Sequence, residues 1–177
     1  MSSAAQQPEP VAIIGIGCRY PGADDPGAFW KTIRDGIDTI TEVPKSRWSI
    51  EQYYDLDSIK PDKTNTRWGG FLDQIDRFDP QFFGIAPREV YSMDPQQRLL
   101  LEVAWESLED AGQVPKQLRG TRTGTFIGVG THDYSILLWQ KPVNDPYATV
   151  GTGNCIAANR ISYIFDFKGP SLAVDTA

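Results

Sequence analysis

The sequence predicts an α/β fold with a parallel or mixed sheet, on three observations. Two apolar runs that end in glycine, residues 11–17 and 123–130, have the composition of strands buried on both faces. Helices opened by Asp-Pro pairs stand between them. The chain then closes on Gly169-Pro170-Ser171-Leu172-Ala173-Val174-Asp175-Thr176-Ala177, a turn signal followed by a short apolar strand. Strand, helix and strand at these spacings imply right-handed crossovers.

Composition bounds the rest. With 177 residues, 40% of them hydrophobic, the chain can build one core or the larger part of a bigger one. Residues 1–10, small, polar and proline-bearing, read as a flexible leader, and 11–177 as a single folded portion. Seventeen Lys and Arg against 23 Asp and Glu leave a net charge of -6, which argues against a nucleic-acid surface. No apolar run approaches the roughly 20 residues of a membrane span, and the leader lacks the regions of a signal peptide, so a soluble, cytoplasmic protein is expected. Cys18 and Cys155 stand far apart in no metal-ligand spacing, which suits reduced thiols; no metal site is expected.

In chain order, residues 11–17 read as the first central strand. Gly15-Ile16-Gly17 invites a dinucleotide-binding reading, but Tyr20 stands where the third glycine would be, and close backbone packing is the plainer explanation. Asp25-Pro26 opens a short amphipathic helix with Phe29, Trp30, Ile33 and Ile37 on one face. Residues 39–67 form a long surface excursion with short local elements, and residues 68–72 a small strand or hairpin edge. Asp79-Pro80 and Asp94-Pro95 repeat the cap-plus-proline device, with Pro87 opening a further turn between them. The helix over 95–111, ended by Gly112, has apolar residues on well over one stripe and should be covered on more than one side. Gln96, Gln97 and Arg98 in its first turn either cap and meet solvent or form buried hydrogen bonds. Residues 123–130 read as a second core strand. His132 beside Asp133 looks like half a catalytic relay, yet sequence neighbours on a loop seldom face each other and no Gly-x-Ser-x-Gly elbow is present; a loop histidine without chemistry is preferred. Residues 134–139 are apolar enough to pack, and 142–146 read as a turn. Gly151-Thr152-Gly153 then leads into a helix that returns the chain to the closing strand.

Several segments resemble a known family. They are residues 11–22, Phe82-Phe83-Gly84-Ile85, Met93-Asp94-Pro95-Gln96-Gln97-Arg98, residues 105–112, residues 153–163, and the end from Phe165-Asp166-Phe167-Lys168-Gly169-Pro170-Ser171 to Asp175-Thr176-Ala177. In this order they resemble the β-ketoacyl synthase (ketosynthase) domains of modular type I polyketide synthases. The resemblance covers nearly all of residues 9–177 and implies a thiolase-like fold, of which this chain is most of the first α/β half. In that family the nucleophilic cysteine follows the Asp-Thr-Ala run at once, which would make it residue 178. It sits at the amino end of a buried helix, where the dipole lowers the thiol pKa and backbone N–H groups can hold an oxyanion.

The resemblance implies decarboxylative condensation of an acyl thioester with a malonyl-type extender on an acyl carrier protein. It also implies two histidines from the second half, a homodimer, and neighbouring synthase domains. Cofactor chemistry is limited to the 4'-phosphopantetheine carried by the acyl carrier protein, with none bound directly. No catalytic residue carries over: His132, Cys18 and Cys155 match none of the three family positions, and the fragment alone is expected to be inactive. Thr149 and Gly153 match positions that border the acyl chamber in related synthases, partly across the dimer interface; alternatively they merely permit the helix to start. Two other readings compete. One is a noncatalytic dimerisation or carrier-protein interaction module. The other is a thiolase acting on coenzyme A thioesters, which shares the fold but suits the Asp-Pro-Gln-Gln-Arg and Asp-Phe-Lys-Gly-Pro segments poorly.

Overall fold

The computed structural model describes residues 9–57, 60–140 and 145–176. Most of the leader and part of the 142–146 turn lie outside these residues, as does Ala177. The first helix, α1 (Pro26–Arg34), starts where the sequence says: Asp25 accepts from the Ala28 N–H at 2.8 Å, with proline at the first helical position. The excursion after it holds a two-residue strand β1 (Thr41–Glu42), a short helix α2 (Ile50–Tyr53) and strand β2 (Trp68–Gly69), with β1 and β2 antiparallel. Helix α3 (Pro87–Val90) follows. The cap at Asp79 does form, accepting from Gln81 and Phe82, but it closes a turn rather than a helix because Gly84 takes φ +66° a few residues on.

Helix α4 (Pro95–Asp110) is the spine of the molecule. Asp94 caps it through the Gln96 N–H at 2.8 Å, and Gly112, at φ +63°, ends it with the Gln113 N–H returned to the Leu108 carbonyl at 2.8 Å. A short helix α5 (Pro115–Leu118), which the apolar pattern does not announce, leads to strand β3 (Thr125–Gly128). Helix α6 (Asp133–Trp139) accounts for the apolar 134–139 segment. Next come α7 (Ala148–Thr152), α8 (Asn154–Phe165) and strand β4 (Ser171–Val174). The glycine-rich approach to α8 is thus itself a helical turn. Its geometry is set by Gly151, where any Cβ would be driven into the Ser92 carbonyl.

Strands β3 and β4 run parallel, paired from Thr125 with Ser171 to Gly128 with Val174, and α8 packs on both. Thr125 and Ile127 face inward, while Phe126, Leu172 and Val174 stand exposed on the other face. The core lies between the sheet, α4 and α8: Phe83, Ile85, Met93, Leu101, Ile161 and Phe165, with Trp105 and Phe167 stacked around Phe165. Met93 and Leu101 are fully buried, each stabilising the fold by roughly 1.5–3 kcal/mol.

One expectation is corrected. Residues 11–17 pair in no strand among the described residues, and Val11 and Ile13 are 95% and 84% exposed. The glycines hold this segment against α4 instead. At Gly15 a Cβ would penetrate the Ser107 carbonyl, at Gly17 it would stand 2.5 Å from the Val103 carbonyl, and the Ile16 N–H donates to Asp110 at 2.8 Å. A cavity of about 470 Å³ lies between Gly15-Ile16-Gly17 and the β3 residues Thr125, Phe126 and Ile127, so no ladder closes across it. The close backbone packing read from the glycines is present, and it covers a second side of α4.

Candidate functional site

The parallel pair brings two chain exits to one edge. Past the last paired residues, the Val129 N–H donates to the Val174 carbonyl at 3.1 Å, so the strands leave the sheet side by side. Gly130 leaves room for the Asp175 carboxylate: a Cβ there would stand 3.0 Å from its nearer oxygen. His132, just before α6, has its Nε2 3.4 Å from the side-chain nitrogen of Asn154 at the start of α8. Gly130, His132, Asn154 and Asp175 therefore gather at the carboxyl edge of the sheet, where α/β folds mount their ligand-binding groups. His132 turns to Asn154 rather than to Asp133, the first residue of α6.

Thr149 and Gly153 flank the α7–α8 junction beside this edge. Thr149 is exposed and Gly153, the residue before α8, is half-buried; the Gly153 N–H donates to the Thr149 carbonyl at 3.1 Å. Behind them lies a buried polar network. Gln97 donates its amide to the carbonyls of Val150 and Gly153 and accepts from Arg160 Nε at 2.8 Å; Arg160 in turn pairs with Glu89. The first turn of α4 is thus divided in role. Gln96 hydrogen-bonds to Asp94, Gln97 is buried and hydrogen-bonded, and Arg98 is buried with its Nε unpartnered. Arg160 and Glu89 carried no signal in the sequence beyond a charged residue beside the small pair Ala157-Ala158 on an otherwise apolar helix. Next to α7 is a hollow of about 320 Å³ lined by Tyr91, Tyr134, Trp139 and Ala148.

Burial pushes the Cys18 thiol upward, away from thiolate, and Cys155 is exposed in the first turn of α8. Among the described residues no three His, Cys, Asp or Glu side chains are grouped to hold a metal, and no helix is long and apolar enough to cross a membrane.

A family model described as the N-terminal domain of beta-ketoacyl synthase matches residues 8–177. The chain belongs to the beta-ketoacyl synthase family. Among curated proteins it is 49% identical, over 171 residues, to a phenolphthiocerol/phthiocerol polyketide synthase polypeptide of Mycobacterium tuberculosis, covering 96% of this chain and 9% of that protein. It is 47% identical to polyketide synthase PksN of Bacillus subtilis, covering 96% of this chain and 3% of the relative. Solved ketosynthases superpose well. An oxazolomycin ketosynthase domain of Streptomyces albus JA3453 matches with a TM-score of 0.83 at 39% identity, covering 93% of this chain and 29% of its own. The ketosynthase from module 6 of the bacillaene synthase of Bacillus subtilis 168 gives 0.78 at 34%, covering 93% and 26%. The ketosynthase chain described here thus has the thiolase-like fold of polyketide-synthase ketosynthases and corresponds to their amino-terminal part, spanning under a third of each solved domain.

Proposed function

We propose that this chain is the amino-terminal part of a ketosynthase that condenses an acyl thioester with a malonyl-type extender held on an acyl carrier protein. The observation that carries the reading is the delivery of Asp175-Thr176 by β4 to the carboxyl edge of the parallel sheet, beside the β3 exit at Gly130. A cysteine mounted immediately after residue 177 would lie at that edge. In this reading the acyl group passes from the phosphopantetheine sulfur to the cysteine sulfur, releasing the carrier thiol. Loss of carbon dioxide from the extender leaves an enolate, which attacks the acyl carbonyl, and the cysteine thiolate departs as the new carbon–carbon bond forms.

The phosphopantetheine arm comes with the carrier protein, and no cofactor resides in the chain. Two histidines from the remainder of the domain assist decarboxylation, and the adjacent synthase domains hand over and remove the acyl group. Thr149 and Gly153, small and at the junction beside the edge, border the acyl chamber. The assembly is a cytoplasmic homodimer, and the 177 residues by themselves do not turn over.

The test is acylation mapping on the complete ketosynthase domain that contains this chain. After incubation with an acyl-pantetheine thioester and tryptic digestion, the acyl mass should appear on the peptide that begins at Gly169, which follows Lys168. Acylation of a peptide holding Cys18 or Cys155, or elongation by the 177 residues alone, would overturn the assignment.

A further inference from the structure

Three carbonyls of the α7–α8 junction, those of Val150, Gly151 and Gly153, are bound from the α4 side. The Asp94 N–H donates to Gly151 at 2.8 Å, while Gln97 Nε2 donates to Val150 at 3.3 Å and to Gly153 at 3.2 Å. At its other end Gln97 Oε1 accepts from Arg160 Nε at 2.8 Å. Arg160 is completed by Glu89 at 2.5 Å and by a longer contact from Nη2 to the Val150 carbonyl at 3.4 Å. Gln97 is 3% and Arg160 9% exposed, so water is a poor substitute for any of these partners.

The chemistry at position 97 is demanding. Only a side chain with an acceptor at one corner and two donors at the other satisfies a guanidinium and two carbonyls together, which is the inventory of a primary amide. Core packing alone would have been served by an apolar residue of the same volume. The turn so held is five residues long, and its far side carries the exposed Thr149, tied to Gly153 through the Thr149 carbonyl. A shift of the Val150 and Gly153 carbonyls therefore moves both positions together.

We propose that Gln97 is a specificity-determining positioning residue. Through the Val150 and Gly153 carbonyls it sets how far Thr149 and Gly153 stand into the acyl chamber, and so which acyl chain lengths are accepted. This rests on the chamber reading of Thr149 and Gly153 given above. Gln97 touches no reacting atom; it acts through the placement of the backbone that carries Thr149 and Gly153.

Gln97→Glu separates the two ends of the side chain, because a carboxylate keeps the acceptor for Arg160 and removes both donors. In the complete ketosynthase domain, kcat/KM for acetyl- and octanoyl-pantetheine thioesters is measured beside hydrogen exchange at the Gly151 and Gly153 amides. The variant should speed exchange at Gly153 by about tenfold and change the octanoyl-to-acetyl ratio by at least about fivefold, carried in KM more than in kcat. Arg160→Lys, which keeps a cation for Glu89 but loses the bond to Gln97, should move both readouts the same way by less, and it decides the matter should Gln97→Glu not fold. Unchanged exchange defeats the pinning of the junction. Faster exchange with an unchanged chain-length ratio defeats the specificity role. A wild-type domain that condenses neither thioester overturns the condensing reading and takes the specificity role with it, while the exchange measurement still judges the pin separately.

Discussion

At Gly17 the space for a side chain is already occupied by the Val103 carbonyl of α4, which a Cβ would approach to 2.5 Å. In the ketosynthase domain Gly17→Ala should lower stability by about 1–3 kcal/mol through overpacking, as read by urea unfolding. An unchanged stability would mean that residues 11–17 are not held against α4 by their glycines. A second polar device ties the same region down: Arg19 pairs with Glu106 through both terminal nitrogens, so the loop after the glycines is also anchored on α4. Beside it burial raises the Glu102 carboxyl above its ordinary range, with Arg19 opposing and Glu106 adding to the shift.

At the scale of elements, α4 organises the molecule because its two ends are fixed independently of its packing. Asp94 is 6% exposed and supplies both the side-chain cap of α4 and, through its N–H, the hold on the Gly151 carbonyl. Asp94→Ala keeps the N–H and removes the cap together with the 3.2 Å bond from Gln96 Nε2, so it should cost about 1–2 kcal/mol, while Asp94→Asn should recover most of the loss. A thermal or urea denaturation series on the three proteins checks this, and an Asn variant as unstable as the Ala variant would point to the charge rather than the cap. The α8 helix is finished differently. Asp166 takes the left-handed conformation at φ 57° and the Phe167 N–H returns to the Ser162 carbonyl at 2.8 Å, aiming the chain at β4 without a glycine.

On the scale of the whole molecule, the outer face of the parallel pair is uncovered. Phe126 and Leu172, cross-strand neighbours, are 64% and 51% exposed, and Val174 is exposed beside Gly128. Contiguous apolar surface of this kind marks a face that packs on something else. The 177 residues produced alone should therefore self-associate and bind a hydrophobic dye, and Phe126→Lys with Leu172→Lys should reduce both. A monodisperse, dye-silent species of 19.7 kDa would refute this and favour a self-sufficient interaction module.

What could be read from the sequence were the features written locally. Asp-Pro caps at α1 and α4, the glycine stop at Gly112, the apolar strands β3 and β4 and the family segments all depend on residues within a few positions of one another. Thr149 and Gly153 are singled out by the family resemblance alone, while local chemistry raised buried hydrogen bonding for Gln97 as one of two readings. It did not reveal Glu89 and Arg160, which lie 8 and 63 residues from Gln97 and acquire meaning only when α3, α4 and α8 come together. Nor could it tell that residues 11–17 find no strand partner among the described residues: an apolar run states that a backbone is suited to a sheet, but a strand exists only where another supplies its hydrogen bonds. Tertiary structure decided those matters because pairing and burial are relations between distant segments, and no single segment encodes its neighbour.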